Sequence, residues 1–415
     1  NLNRVVVASC SPKTHEAMFM ETLEACGLNK YLFEMANIRN QNSWIHSKMP
    51  DTATEKAKDL VRMAVARAGT LKPLDEKVIL VNQRALVIGG GIAGMNSALN
   101  LGKQGFEVVL VERESVLGGF ALNLRHTLEG ADVQAYLKKL VAEVEAHDKV
   151  EIVTGAKVAG FGGYKGNFKT SLDLGTDSET REIDHGVIVV ATGATEYQPQ
   201  EYLYPEDDRV VTQVEFTHML EDQGADDLDT VVMIQCVGSR NDEMQECSRI
   251  CCQAAVKNAL LVKKASPDTQ VFVLYRDMRT YGLMEDYLTE AREKGVIFIR
   301  FDADTPPVVE AASDGIHVKT KDHILLMDME ITADKLVLSA GMRAADTTEL
   351  SSIMKLNANT EGYFIEAHVK LRPVEMATEG IYVCGTAHSP RLIPEAISQA
   401  QAAASRAGTQ LAKPF

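Results

Sequence analysis

Two sets of residues in this chain are spaced for chemistry. The first is Gly89-x-Gly91-x-x-Gly94, which follows an apolar run at 84–88 and opens a stretch with helical spacing. At such a strand-to-helix turn the first glycine permits a tight bend. The second lets backbone amides approach a pyrophosphate, and the third allows helix and strand to pack closely. The helix N-terminus, with Ile92 and Ala93 in its first turn, adds unpaired N–H groups and the positive end of its dipole. Glu112 lies 18 residues past Gly94, at the end of the next strand-like run. A carboxylate there accepts from adenosine ribose hydroxyls and repels a 2′-phosphate. The pattern predicts a dinucleotide site.

Three further signals lie in order along the chain. Leu117-Gly118-Gly119 closely follows Glu112 and Arg113 and offers bare backbone to a dinucleotide. Ala191-Thr192-Gly193 ends a buried strand downstream. Gly385-Thr386 ends a late strand and leads toward a helix near Ile393 and Pro394. This order resembles the thioredoxin-reductase-like flavoproteins with two dinucleotide-binding domains. The resemblance implies FAD, held by Gly89, Gly91, Ile92, Ala93, Gly94, Glu112, Arg113, Gly118, Gly119, Ala191, Thr192, Gly193, Gly385, Thr386 and Ile393. In that group the late strand often ends in Gly-Asp, and Thr386 stands in the Asp position here. The helix after Pro394 aims its N-terminus at the flavin pyrimidine, which favours negative charge on reduced flavin.

The second set is sulfur. Of seven cysteines, Cys236, Cys247, Cys251 and Cys252 fall within 17 residues, at spacings of 11, 4 and 1. In an NAD(P)H-using relative, a second Gly-x-Gly-x-x-Gly would follow the strand at 230–235. Cys236-Val237-Gly238-Ser239-Arg240 stands there instead. Thiolate-only ligation suits an iron–sulfur cluster or zinc, although zinc sites favour paired Cys-x-x-Cys knuckles. Buried cysteines also serve as small hydrophobes or pair as a dithiol. Lys257 lies five residues past Cys252 on the same expected helix. It would place a positive charge near the flavin ring, or lie on the solvated face.

The elements that must position these residues read as α/β. Residues 1–78 form a small N-terminal βαβα domain, with a helix at 52–68 closed by Gly69 and a linker at 71–82. Residues 79–205 and 335–415 form the FAD-binding domain, with an antiparallel β insertion at 157–184. Residues 206–334 form a second NAD(P)-binding-like, doubly wound domain that carries the cysteine cluster. The strand at 335–339 is assigned to the FAD domain. Lys and Arg number 43 against 58 Asp and Glu, a formal charge of −15. This argues against a general nucleic-acid binder and against docking on anionic lipid. No apolar run is long enough for a transmembrane segment. The clustered, odd cysteine count points to a reducing cytoplasm. The start is no signal peptide and lacks an initiator Met, as expected of a piece of something longer.

Ala8-Ser9-Cys10-Ser11-Pro12, Glu34-Met35-Ala36-Asn37-Ile38-Arg39, Ser43-Trp44-Ile45-His46, the Cys236–Arg240 and Cys247–Cys252 segments and Tyr275-Arg276-Asp277-Met278-Arg279-Thr280-Tyr281-Gly282 together resemble the A-type subunits of heterodisulfide reductase, a family of iron–sulfur flavoproteins. The resemblance covers the whole chain. It implies an FAD that splits electron pairs along iron–sulfur chains, known as electron bifurcation. It also implies a cytoplasmic anaerobic complex with B- and C-type subunits, ferredoxin, and a hydrogenase or formate dehydrogenase input module, with the chain as a homodimer within it. Cys236, Cys247, Cys251 and Cys252 would hold a [4Fe–4S] cluster, and Lys257 would act near flavin N5. The chain departs from the pattern in lacking a ferredoxin Cys-x-x-Cys-x-x-Cys-x-x-x-Cys-Pro motif. It also carries Asn42 where methanogen-type sequences tend to have Cys, so no N-terminal cluster at Cys10 is expected. Two other readings remain: an NAD(P)H-dependent FAD reductase of the pyridine nucleotide-disulfide oxidoreductase superfamily, and a scaffold that keeps flavin without catalysis.

Overall fold

A computed structural model describes residues 2–76, 79–175 and 180–412. Parts of the expected linker and of the expected β insertion, at 77–78 and 176–179, lie outside the described residues. The chain divides into two compact units, Asn1–Ile79 and Leu80–Phe415.

In the first unit, β1 (Val5–Ser9) and β2 (Phe33–Asn37) pair in parallel, joined by α1 (Pro12–Ala25). After β2 comes α2 (Pro50–Thr70). Cys10, Phe33 and Met35 form its small core, with Val5, Val7 and Leu23 against them. Gly69 does not close α2, which runs to Thr70. A glycine weakens a helix but does not end one while the backbone bonds continue. Residues Arg39–Ser43 form a π-helical turn absent from the expectations. In it the buried Asn42 donates from Nδ2 to Ala53 O at 2.8 Å, a helix-fixing contact rather than a sulfur ligand.

The second unit begins with β3 (Arg84–Ile88), α3 (Ile92–Lys103), β4 (Glu107–Val111), α4 (Val133–Glu145) and β5 (Val150–Val153). Strands β6 (Lys157–Tyr164), β7 (Asn167–Asp173) and β8 (Thr180–His185) form an antiparallel sheet. Then come β9 (Val187–Val190), β10 (Ala194–Glu196), β11 (Val210–Thr212), α5 (Gln213–Gln223), β12 (Thr230–Val237), α6 (Cys251–Ala265), β13 (Gln270–Tyr275), α7 (Glu285–Glu293) and β14 (Ile297–Arg300). The remainder is β15 (Val308–Ala312), β16 (Gly315–Asp322), β17 (Met327–Ala333), β18 (Lys335–Ala340), β19 (Met342–Ala344), α8 (Thr348–Met354), β20 (Ile381–Val383) and α9 (Ile393–Leu411).

Two five-stranded parallel sheets carry the architecture, in the orders β20-β9-β3-β4-β5 and β11-β18-β12-β13-β14. Their strands are near-continuous apolar runs because helices or a small antiparallel sheet cover both faces. In the first sheet Ala85, Val87, Val108 and Leu110 face α3, α4 and α9, whereas Leu86, Ile88 and Val109 face the β6–β8 side. One expectation fails here. β18 belongs to the second sheet, between β11 and β12, not to the first. A buried parallel strand is apolar on both faces, so its composition does not say which sheet receives it. The chain crosses between the two sheets through β10 and β19, which pair antiparallel.

Candidate active site

Strands β3, β4 and β9 end together beneath one cleft of about 580 Å³. Chain order reverses between β3 and β9, the place where open α/β sheets bind ligands. The turn after β3 is built for close approach. A side chain on Gly89 (φ +109°) would meet Ala191 O at 2.3 Å, and one on Gly94 would meet Gly89 O at 1.8 Å. Both are therefore consumed by packing. Gly91 is different: the nearest atom to a side chain there is Gly118 O at 4.0 Å, so the space above it is open to the cleft. Gly91 is also the N-cap of α3, and no side chain caps that helix. Its first N–H groups need an outside partner.

Glu112 is 7% exposed and holds this turn from below. Its Oε2 accepts from Gly90 N at 2.6 Å and its Oε1 from Glu114 N at 2.9 Å. Of the residues the sequence singled out, Gly89, Gly91, Ile92, Ala93, Glu112, Arg113, Gly118, Gly119, Ala191, Thr192, Gly193, Thr386, Ile393 and Lys257 line the cleft. Gly94 and Gly385 do not. A side chain on Gly385 would meet Ala93 Cβ at 2.5 Å, so it too serves packing.

The walls suit a polar ligand. Thr192 Oγ1, Gln253 Oε1 and Arg391 Nε are buried without hydrogen-bond partners, and all three residues border the cleft. These three polar atoms around one cavity are free to bond a ligand's polar atoms. Arg391 and Gln253 escaped the sequence reading. The only signal for Arg391 was its place after the late Gly-Thr turn. Its Nη2 donates to His388 Nδ1 at 2.7 Å, and His388 Nε2 donates to Glu366 Oε2 at 2.8 Å. Burial keeps His388 below the usual imidazole range. Lys257 enters from α6, and burial lowers its pKa to about 8 against a small opposing pull from Glu221.

The cysteine segment adjoins the same cleft. Ile250, Gln253 and Ala254 line it, and Cys251 and Cys252 sit among them in the first turn of α6. β12 bulges between Ile234 and Val237, and Cys236 there takes φ +65°. Arg240 and Arg249 also have positive φ, a costly concentration of left-handed backbone of the kind found at functional sites. Arg240 Nη1 approaches Cys236 Sγ at 3.9 Å, and Arg249 N donates to Cys247 Sγ at 3.3 Å. All four cysteines are free thiols. They are near enough for their charges to interact. Burial pushes Cys251 well above the usual thiol range and Cys252 to about 11. Among the described residues, no group of three or more His, Cys, Asp and Glu side chains stands in a ligating array. Loading a metal centre therefore requires these thiols to lose protons and turn to one point. The donor set has the right chemistry, because a cationic centre offsets the cost of buried thiolates.

The turn after β12 is packed by the ring of Tyr197. A side chain on Gly238 would meet the Tyr197 ring at 2.0 Å, and Arg343 stacks over that ring at 4.6 Å.

Paired parallel sheets with a ligand cleft at the first switch point define a thioredoxin-reductase-like α/β fold. Thioredoxin reductase from T. acidophilum aligns with TM-score 0.54 and 16% identity, covering 79% of this chain and 98% of that one. The Lactococcus lactis enzyme aligns with TM-score 0.56 and 19% identity, covering 79% and 99%. The family described as pyridine nucleotide-disulphide oxidoreductase matches residues 83–234. The chain is an FAD-dependent oxidoreductase. It is 34% identical to the A-type subunit of the H(2):CoB-CoM heterodisulfide,ferredoxin reductase of Methanothermobacter thermautotrophicus, over 99% of this chain and 76% of that protein. It is 32% identical to the iron–sulfur A-type subunit of the CoB--CoM heterodisulfide reductase of Methanocaldococcus jannaschii, over 100% and 77%. The chain belongs to this family, the A-type subunits of heterodisulfide reductase. Among the described residues, no helix is long and apolar enough to cross a membrane.

Proposed function

We propose that this chain is the FAD- and iron–sulfur-bearing electron-transfer component of a cytoplasmic heterodisulfide-reductase-type complex. The flavin half is built from about 80–205 and the segment after Ala340, and the second half lies between. The adenosine ribose sits at Glu112 and Arg113, and the pyrophosphate over Gly91, Gly118, Gly119 and the start of α3. The ring end lies among Thr192, Thr386, Ile393 and Lys257. Bound there, FAD supplies the two-electron exchange. Cys236, Cys247, Cys251 and Cys252 hold a [4Fe–4S] cluster. The observation that carries this reading is the continuity of the cleft. It runs from Glu112, past the open face of Gly91, to the very turn of α6 that bears Cys251 and Cys252.

The relative from M. thermautotrophicus has a name that pairs one donor, H(2), with two acceptors, a heterodisulfide and ferredoxin. That supports electron bifurcation here, with B- and C-type subunits, ferredoxin and a hydrogenase or formate dehydrogenase module as partners, and a homodimer inside the assembly. The NAD(P)H-reductase reading is disfavoured by the turn after β12, where Cys236-Val237-Gly238-Ser239-Arg240 stands in place of a second Gly-x-Gly-x-x-Gly.

The test is anaerobic flavin, iron and sulfide analysis, with an EPR spectrum after reduction. About four iron and four sulfide per FAD are expected for one such cluster. Cys247→Ser should lose most of the iron and keep the FAD. Rapid flavin bleaching by NADH or NADPH alone, or iron unchanged in Cys247→Ser, would sink the proposal.

A further inference from the structure

Lys257 Nζ donates to Thr217 Oγ1 at 3.2 Å and to His126 O at 3.4 Å. Behind Thr217 the polar contacts continue inward. Thr217 Oγ1 lies 2.8 Å from Gln213 O and 2.9 Å from Asn258 Oδ1. Asn258 Nδ2 donates to Gln213 O at 2.9 Å and to Gln213 Oε1 at 2.7 Å, and Gln213 Nε2 donates to Ser339 Oγ at 3.0 Å. Thr217 and Gln213 are 3% and 4% exposed, and Asn258 and Ser339 are wholly buried. The same elements, α5, α6 and β18, give Phe216, Val256, Ala259 and Val337 to an apolar cluster. Four linked polar side chains in such a place cost stability unless each is satisfied, and when satisfied they fix one geometry. The line ends beside the cysteine site, because the next residue after Ser339 is Ala340, whose carbonyl accepts from Cys251 Sγ at 3.4 Å.

Among the described residues, the ammonium itself meets only neutral oxygens. Glu221 on α5, the acidic group that acts on it, is engaged by Arg125 at 3.3 Å and His126 at 2.9 Å. A lysine held by dipoles, with no carboxylate among the described residues in contact, keeps its charge for whatever occupies the cleft.

We infer that Thr217 and Asn258, anchored by Gln213 and Ser339, are positioning residues that hold the Lys257 ammonium at the ring end of the cleft. This rests on the flavin reading above, because the group to be faced is one that gains negative charge when it takes up electrons. The test uses flavin-free protein. Lys257 is acetylated competitively across neutral to alkaline pH and quantified by mass spectrometry. The native midpoint is expected near pH 8. Thr217→Val removes an acceptor for the charged form and should lower the midpoint by about one unit, a tenfold change in proton affinity. Thr217→Ser should restore it, and Asn258→Leu should shift it the same way by less. Should the valine variant not fold, Thr217→Ala, which introduces no bulk, carries the same expectation. An unchanged midpoint in the folded variants overturns the inference. FAD content is measured separately: a native chain that takes up no FAD overturns the cleft reading, while a shifted midpoint still supports the network.

Discussion

Gly91 and Gly94 stand three residues apart in one turn and do opposite work. A side chain at Gly94 has nowhere to go, with Gly89 O at 1.8 Å, whereas a side chain at Gly91 would project into the open cleft. Gly94→Ala should therefore destabilise the flavin-free protein by about 1–3 kcal/mol through overpacking, seen as a lower melting temperature. Gly91→Val should leave that temperature almost unchanged and weaken FAD retention at least about tenfold by filling the space a ligand needs. Equal thermal losses in both would show that Gly91 is structural too. His185 carries a second residue-scale prediction. It is wholly buried, bonded to Thr170 at 2.8 Å, and burial lowers its pKa to about 4. The unfolded chain takes up this proton at higher pH than the folded one, so His185 subtracts stability as pH falls from about 6.5 toward 4, and its effect levels off below that. The loss is roughly 3 kcal/mol, and His185→Gln should flatten the unfolding free energy across that acid window. At this scale the glycines and Glu112 were legible because spacing alone suggests them. Gln253 and Arg391 declare themselves through unpaired buried atoms, which no sequence displays.

Between the elements, Arg249 ties the cysteine turn to the start of α9. Its Nη2 donates to Glu395 Oε1 at 2.8 Å and to Tyr281 OH at 3.0 Å, and its guanidinium stacks over the Tyr281 ring at 5.3 Å. The other Glu395 oxygen accepts from Leu392 N at 3.0 Å, at the start of α9. One carboxylate thus caps the helix that borders the cleft and clasps the loop between Cys247 and Cys251. Arg249→Ala should lower thermal stability by about 1–2 kcal/mol and speed alkylation of Cys247, whereas Arg249→Lys should recover only part because it cannot fork. Unaltered Cys247 reactivity in both variants would mean that the clasp does not restrain the thiol. The helices and the long parallel strands were readable from periodicity. The sheet β15–β17 was missed even though its alternation and the Ser313-Asp314-Gly315 turn between β15 and β16 signal it. β18 was visible as a strand and assigned to the wrong sheet, since neighbours in sequence need not be neighbours in a sheet.

For the molecule as a whole, the arrangement of chain crossings matters more than any one contact. Every strand of the second parallel sheet lies between Val210 and Ala340, and the first sheet draws its strands from either side of that interval. The two crossings are β10 and β19, paired with Ala194 opposite Ala344 and Glu196 opposite Met342. Antiparallel partners stand about 5 Å apart, so the intervening segment leaves and returns through a single doorway. A piece cut at that doorway, 197–341, should fold alone with one cooperative transition. A non-cooperative or aggregated product would mean that its stability is borrowed from the first sheet. The remaining half could be sealed with a two- or three-residue bridge. The protein is thus arranged as a host with a removable cassette: replacing the piece between these strands would change one wall of the proposed flavin site without redrawing the turn at Gly89–Gly94.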